Sequence, residues 1–270
     1  MFRNLPPITK NLLIINVICF FADYVFERYG VSFSRIFGLH YIAAADFHFW
    51  QPLTYMFMHA NFSHLFFNMF AVFMFAPAIE ERWGGKRFLI YYLVTGIGAG
   101  VIQEVVWALQ LQPVLNSVDP MLASALANRV VTIGASGAVF GILLAFGWLF
   151  PDVRMYIMFI PIPIRARTLV IIYALVELFT GLAPSAGDNV AHFAHLGGMI
   201  FGWLLILWWR YRGYDGFDST PWRDGSLRRW WEGVKRWLRD KWDDRFPPRH
   251  PRINRDKDQN YRDYHYHESL

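Results

Sequence analysis

The chain has 270 residues, 55% of them hydrophobic, 19% aromatic and 17% charged, with a net charge of +5. So apolar a composition argues against an ordinary soluble domain, and the apolar residues stand in six blocks near the ~20 residues a membrane-crossing helix needs. One cysteine, Cys19, excludes a disulfide framework, and a basic balance without a nucleic-acid fold motif gives no reason to expect a nucleic-acid partner.

The first block, 11–29, is too long for a cleavable signal peptide, and no small-residue cleavage site follows it. Residues 30–58 come next and are rich in aromatics around Phe47, Phe49, Trp50 and Tyr55. Such residues favour the membrane interface, so this segment is expected in or on the outer leaflet. The second block, 61–79, is headed by His59 and His64-Leu65-Phe66-Phe67-Asn68. The third, 88–110, carries Thr95-Gly96-Ile97-Gly98-Ala99-Gly100, and 111–133 reads as a second outer loop. The fourth, 136–150, opens on Gly134-Ala135-Ser136-Gly137. A helix-breaking inner loop, Pro161 to Arg167, precedes the fifth block, 167–183. The sixth, 190–209, carries His192, His195, Gly198 and Gly202.

Basic residues orient the blocks. With a cytoplasmic N-terminus, the inner segments hold Arg3, Lys10, Arg82, Lys86, Arg87, Arg154, Arg165, Arg167 and the whole tail, while the outer ones hold only Arg28, Arg35 and Arg129. This satisfies the positive-inside rule. The expected fold is an all-α membrane protein, a six-helix bundle over 11–210 with both termini cytoplasmic. Residues 1–10 form a short cytoplasmic N-terminus and 211–270 a cytoplasmic tail. Within the tail, Leu227, Trp231, Val234, Leu238 and Trp242 recur at helical spacing among Arg and Lys, which predicts a basic amphipathic helix over 226–242 lying on an anionic membrane surface. Beyond Pro247 few aliphatics remain, and disorder is expected.

Polar groups inside a bilayer are costly and mark function. Blocks two, four and six run from outside to inside. Asn68 to Arg82, Ser136 to Phe150 and His195 to Trp209 are each fourteen residues, or about 21 Å at ~1.5 Å per residue. Three polar side chains therefore share one depth, about 9 Å below the outer edge of a core ~30 Å thick. Gly137 with Gly141, and Gly198 with Gly202, form two G-x-x-x-G pairs that permit close helix contact. Gly198 shares a helix face with His195, so its burial against the fourth helix would bring His195 towards Ser136.

A serine needs a base to become a nucleophile, and His195 is the candidate. No carboxylate is read near it at that depth, so the expected site is a Ser136–His195 dyad. Ser136 at a helix N-terminus supplies backbone N–H groups for an oxyanion, and Asn68 with His64 one turn before it can add side-chain donors. His59, nearer the surface, is expected to make a structural hydrogen bond, and His192 to be a satisfied polar residue.

These motifs together, Gly134-Ala135-Ser136-Gly137, His59 with His64 and Asn68, and His195-Leu196-Gly197-Gly198 with Gly202, resemble the rhomboid intramembrane serine proteases over about residues 10–210. The resemblance implies that Ser136 is the nucleophile and His195 the base, with Asn68, His64 and the Ser136 N–H as the oxyanion hole. It implies supporting roles for His59, Gly134, Gly137, Phe140, Gly198 and Gly202. Glu80 to Gly85 resembles the family's turn after the second helix, and Phe140 stands where many members carry a tyrosine packed on the histidine. The implied substrate is a transmembrane protein within the lipid bilayer, cut near the outer end of its helix after a small residue. No cofactor, metal or nucleic acid is implied, and the expected location is a bacterial inner membrane. Two rivals stay open. One is a catalytically inactive relative that binds membrane proteins. The other is a metal site or transporter built on the outer histidines; against it, no H-E-x-x-H motif occurs and no membrane carboxylate is read as their partner.

Overall fold

The structure, a computed structural model, describes residues 5–157, 160–183 and 190–213, with Arg236 and Arg239 beyond them. The chain forms two units, Met1–Thr220 and Pro221–Leu270. The expected surface helix at 226–242 and the disordered end lie outside the described residues, save that Arg236 and Arg239 are helical and exposed.

The first unit is mostly helical. In chain order it contains α1 (Pro7–Glu27), α2 (Phe33–Phe37), β1 (Leu39–His40), α3 (Gln51–Thr54), a 3₁₀ turn at Tyr55–Phe57, α4 (Phe62–Trp83), α5 (Gly85–Gln110), α6 (Gln112–Leu115), α7 (Pro120–Ala127), β2 (Val131–Thr132), α8 (Ser136–Leu149), β3 (Arg154–Ile157), β4 (Ile160–Arg165), α9 (Ala166–Leu182) and α10 (His192–Tyr211). The six apolar blocks became α1, α4, α5, α8, α9 and α10. Of these, α1, α4, α5 and α10 are long and apolar enough to cross a membrane by themselves. α8, with 14 residues, and α9, with 17, are shorter.

Two short antiparallel pairs depart from the all-α expectation. β1 joins β2 through Leu39↔Thr132 and His40↔Val131, and β3 joins β4 as a hairpin where a plain inner loop was expected. The first pair matters for the site, because it ties the chain four residues before Ser136 to the 30–58 segment. That segment is an ordered set of short elements. The Asp23 carboxylate accepts from the N–H groups of Phe33 and Ser34 at the start of α2. The Gln51 amide donates to the carbonyls of Ile36 and Asp46. Part of its apolar surface faces outwards, with Ile42 and Phe49 well exposed, as suits an interface, whereas Leu39, Tyr41, Tyr55 and Met56 turn into the core.

The core lies where α4, α5, α8 and α10 meet, around Tyr55, Met56, Tyr91, Tyr92 and Ile142. Outside it runs a belt of exposed apolar side chains. It includes Ile18, Phe21 and Val25 of α1, Phe66 and Phe70 of α4, Ile171, Leu175 and Phe179 of α9, and Trp203 and Leu204 of α10. Exposed apolar surface on this scale is unsuited to water and suited to hydrocarbon. At the opposite end of α4 from His64, the buried Glu80 carboxylate accepts from the N–H groups of Ile8 at 2.9 Å and Thr9 at 2.7 Å, and from the Thr9 hydroxyl at 2.7 Å. Backbone donors in the first turn of a helix have no partner within it. Glu80 therefore caps α1, and its negative charge interacts favourably with the positive end of the helix dipole. Gly84 follows at φ 80°, a left-handed conformation that glycine adopts without strain, and lets α5 begin at once.

Candidate active site

The site is built on the N-terminal end of α8. Gly134 donates its N–H to the Tyr55 carbonyl at 2.9 Å and has φ 130°. A Cβ there would stand 2.7 Å from the Cε1 and Nε2 atoms of His64, so only glycine lets the His64 ring lie against this turn. Ser136 is the first residue of α8, and the first hydrogen bond of that helix is made by the Val139 N–H. The N–H groups of Ser136, Gly137 and Ala138 thus precede the helical ladder at its electropositive end.

Ser136 Oγ and His195 Nε2 are 2.8 Å apart. Their meeting depends on close packing. A Cβ on Gly198 would collide with the carbonyl oxygen of Gly137, so α10 rests directly on the α8 backbone one turn past His195. The other glycines of the two pairs face elsewhere. A Cβ on Gly141 would be 2.6 Å from Thr95, and one on Gly202 would collide with the Tyr91 hydroxyl. Gly137 also abuts Ala99. The two G-x-x-x-G pairs do not interlock as pairs. Gly198 faces α8, while the rest let α5 into the centre through Tyr91, Thr95 and Ala99.

Phe140, one turn below Ser136, stacks on the His195 ring at 4.3 Å and 11°. On α4, the Asn61 side chain caps the helix by accepting from the His64 N–H at 2.8 Å. The His64 Nδ1 accepts from the Ala60 N–H at 3.4 Å, so its proton sits on Nε2, the nitrogen that faces Gly134. Asn68 is buried, and its Nδ2 donates to the His64 carbonyl at 3.0 Å. His59 is buried edge-on against His64 at 5.1 Å. Its buried ring nitrogens lie beside the His64 ring and the Phe57 backbone. Burial first, and the His64 imidazole second, push the His59 pKa down to about 3, so it is neutral at physiological pH.

One reading fails. A carboxylate does stand beside His195. Glu177 Oε2 lies 2.9 Å from His195 Nδ1 and 2.7 Å from His192 Nδ1. It comes from α9, the neighbouring helix that runs antiparallel to α10, so counting depth only along the second, fourth and sixth helices passed over it. Its signal was in the sequence, as a lone acidic residue in Ala174-Leu175-Val176-Glu177-Leu178-Phe179. A carboxylate in such a run requires a partner. The same contact overturns the statement that no membrane carboxylate pairs with the outer histidines. Glu177, His192 and His195 also bring three donor atoms within 4.8 Å of one another, compact enough for a metal ion. The carboxylate oxygen, however, is at hydrogen-bond distance from each nitrogen. Ligands of a tetrahedral zinc at ~2.0–2.1 Å stand roughly 3.3 Å apart.

A half-buried serine on a helix N-terminus is thus hydrogen-bonded to a buried histidine, within the apolar helical bundle of an integral membrane protein. Residues 46–212 match the Rhomboid domain, and the chain belongs to the rhomboid family. It is 31% identical over 164 residues to the putative rhomboid protease YdcA of Bacillus subtilis (strain 168), covering 61% of this chain and 69% of that protein. It is 27% identical over 211 residues to the rhomboid protease AarA of Providencia stuartii, covering 74% and 71%. It is 26% identical over 208 residues to the chloroplastic rhomboid-like protein 11 of Arabidopsis thaliana, covering 72% of this chain and 62% of that protein.

Proposed function

We propose that the chain is an intramembrane serine endopeptidase that cuts a transmembrane helix near its outer end. The observation that carries this reading is the 2.8 Å contact between Ser136 Oγ and His195 Nε2 at the α8 N-terminus. His195 Nε2 takes the Oγ proton as Oγ attacks the scissile carbonyl carbon. The oxyanion so formed is held by the Ser136 N–H, by the His64 Nε2–H and by the second proton of the Asn68 amide. The imidazolium gives its proton to the leaving amine, and the acyl-enzyme is hydrolysed by water activated in the same way.

Six crossings complete the topology, with α8 and α9 at about 21 Å and 26 Å by ~1.5 Å per residue, both termini in the cytoplasm by the charge rule, and the site opening to the outer face. Residues 11–210 form the protease domain, the tail binds the inner membrane surface, and the membrane is that of a bacterial cell. The test is cleavage of a fluorogenic transmembrane substrate by the detergent-solubilised full chain. Activity abolished by Ser136→Ala supports the protease. A folded wild-type protein that cuts none of a panel of transmembrane substrates and takes up no serine-directed phosphonate favours the inactive, membrane-protein-binding relative.

A further inference from the structure

We propose that Glu177 is a positioning residue of the hydrolytic site, so that Ser136, His195 and Glu177 act as a triad whose carboxylate is braced by His192. The proposal rests on the protease reading above and deepens it. An ionised carboxylate only accepts hydrogen bonds. With Glu177 Oε2 at 2.9 Å from His195 Nδ1, the imidazole proton is fixed on Nδ1. The lone pair of Nε2 is then presented to the Ser136 hydroxyl at 2.8 Å. The opposite tautomer would aim an N–H at Oγ and could take no proton from it. When the Oγ proton moves to Nε2, the new imidazolium lies against the carboxylate, which stabilises it without itself becoming protonated.

The bracing is specific. Thr180 donates its hydroxyl to the Val176 carbonyl at 2.7 Å, so towards His192 Nδ1, 3.1 Å away, it accepts. The His192 Nδ1–H is thus shared between Thr180 Oγ1 and Glu177 Oε2, the latter at 2.7 Å. Two histidines one turn apart on α10 therefore converge on one oxygen of α9. Phe140 covers the flat face of the His195 ring and restricts its tilt. No other polar side chain on α9 is buried among the described residues. A carboxylate carries a high cost in this setting, and the geometry spends it on the one nitrogen that sets the base's tautomer.

The experiment uses the full chain in detergent with the fluorogenic substrate. Glu177→Gln should lower kcat by about 10²–10⁴-fold, the range of a lost orienting carboxylate, with KM unchanged. Glu177→Asp should recover part of the loss, and His192→Phe should cost no more than about tenfold. Nitrogen-15 spectra of histidine-labelled wild-type protein should show His195 protonated on Nδ1, a readout that needs no variant to fold. A wild-type His195 protonated on Nε2 overturns the proposal, as does Glu177→Gln cleaving at the wild-type rate; in both cases active wild type leaves the protease reading standing. A fall in kcat with no recovery in a folded Glu177→Asp also counts against it. Cleavage lost to EDTA and restored by zinc overturns it by making the cluster a metal site. Wild type that cleaves nothing overturns the protease reading itself.

Discussion

Helices α9 and α10 are neighbours in sequence and in space, both apolar, and they pack by opposite means. α10 sinks into the centre. His195, Gly197, Gly198, Met199, Gly202, Ile206 and Trp209 are buried, and its glycines let it lie on α8 and α5 at backbone distance. α9 buries only Ala166, Leu169, Val170 and Glu177 and turns Ile171, Leu175, Val176, Leu178 and Phe179 outwards. One helix is positioned by shape. The other meets the site chiefly through one carboxylate. In hydrocarbon the hydrophobic effect gives little reason for two apolar helices to prefer each other, so close packing and a few polar contacts decide the arrangement. The contrast teaches that a helix can border the site closely while most of its apolar surface stays exposed.

The sharpest break comes on the α10 side at its one base. His195→Ala should abolish cleavage and labelling by a serine-directed phosphonate while the protein stays folded, since residues of such a unit fail together. Substantial residual turnover would remove His195 from the chemistry. Next come the α4 donors. Asn68→Ala and His64→Ala should each lower kcat by about 10²–10³-fold, as for one lost oxyanion donor. Two variants at wild-type rate would place the hole elsewhere.

Gly198→Val tests shape alone. The new side chain meets the Gly137 carbonyl oxygen, α10 must shift, and a displacement of about 1 Å at the base costs ~10²-fold. A correctly inserted variant with full activity would refute the backbone contact. Smaller still is Glu80→Gln. It removes charge from three hydrogen bonds that cap α1, so a loss of roughly 1.5–3 kcal/mol, the range for bonds to charged groups, should lower the thermal midpoint in detergent and leave kcat alone. The smallest effect should come from the outer face of α9. Ile172→Ala and Leu175→Ala should stay within about twofold of wild type in activity and within ~0.5 kcal/mol in stability. Larger losses would mean that this face carries a partner or substrate contact.

The amino-acid sequence by itself placed all six apolar helices to within a few residues. It also pointed to the neighbours Ser136 and His195, which stand 2.8 Å apart. Length of apolar run and rise per residue are local properties, and they survive folding unchanged. What it could not fix was the rotation of each helix about its axis. α8 is apolar all round, and a helix without a polar face gives no phase from which to read its neighbours. Only packing therefore decided that Gly198 meets α8 while Gly141 and Gly202 admit α5. Packing likewise turned Glu177 inwards from a helix whose other apolar side chains are mostly exposed, and paired Leu39 and His40 with Val131 and Thr132 across ninety residues of chain. The last is a long-range pairing of two-residue strands, too short to show any period of their own. The carboxylate was visible as an anomaly in an apolar run. Its partners were not, because an acidic residue announces the cost of burial while the fold alone chooses which donors offset it.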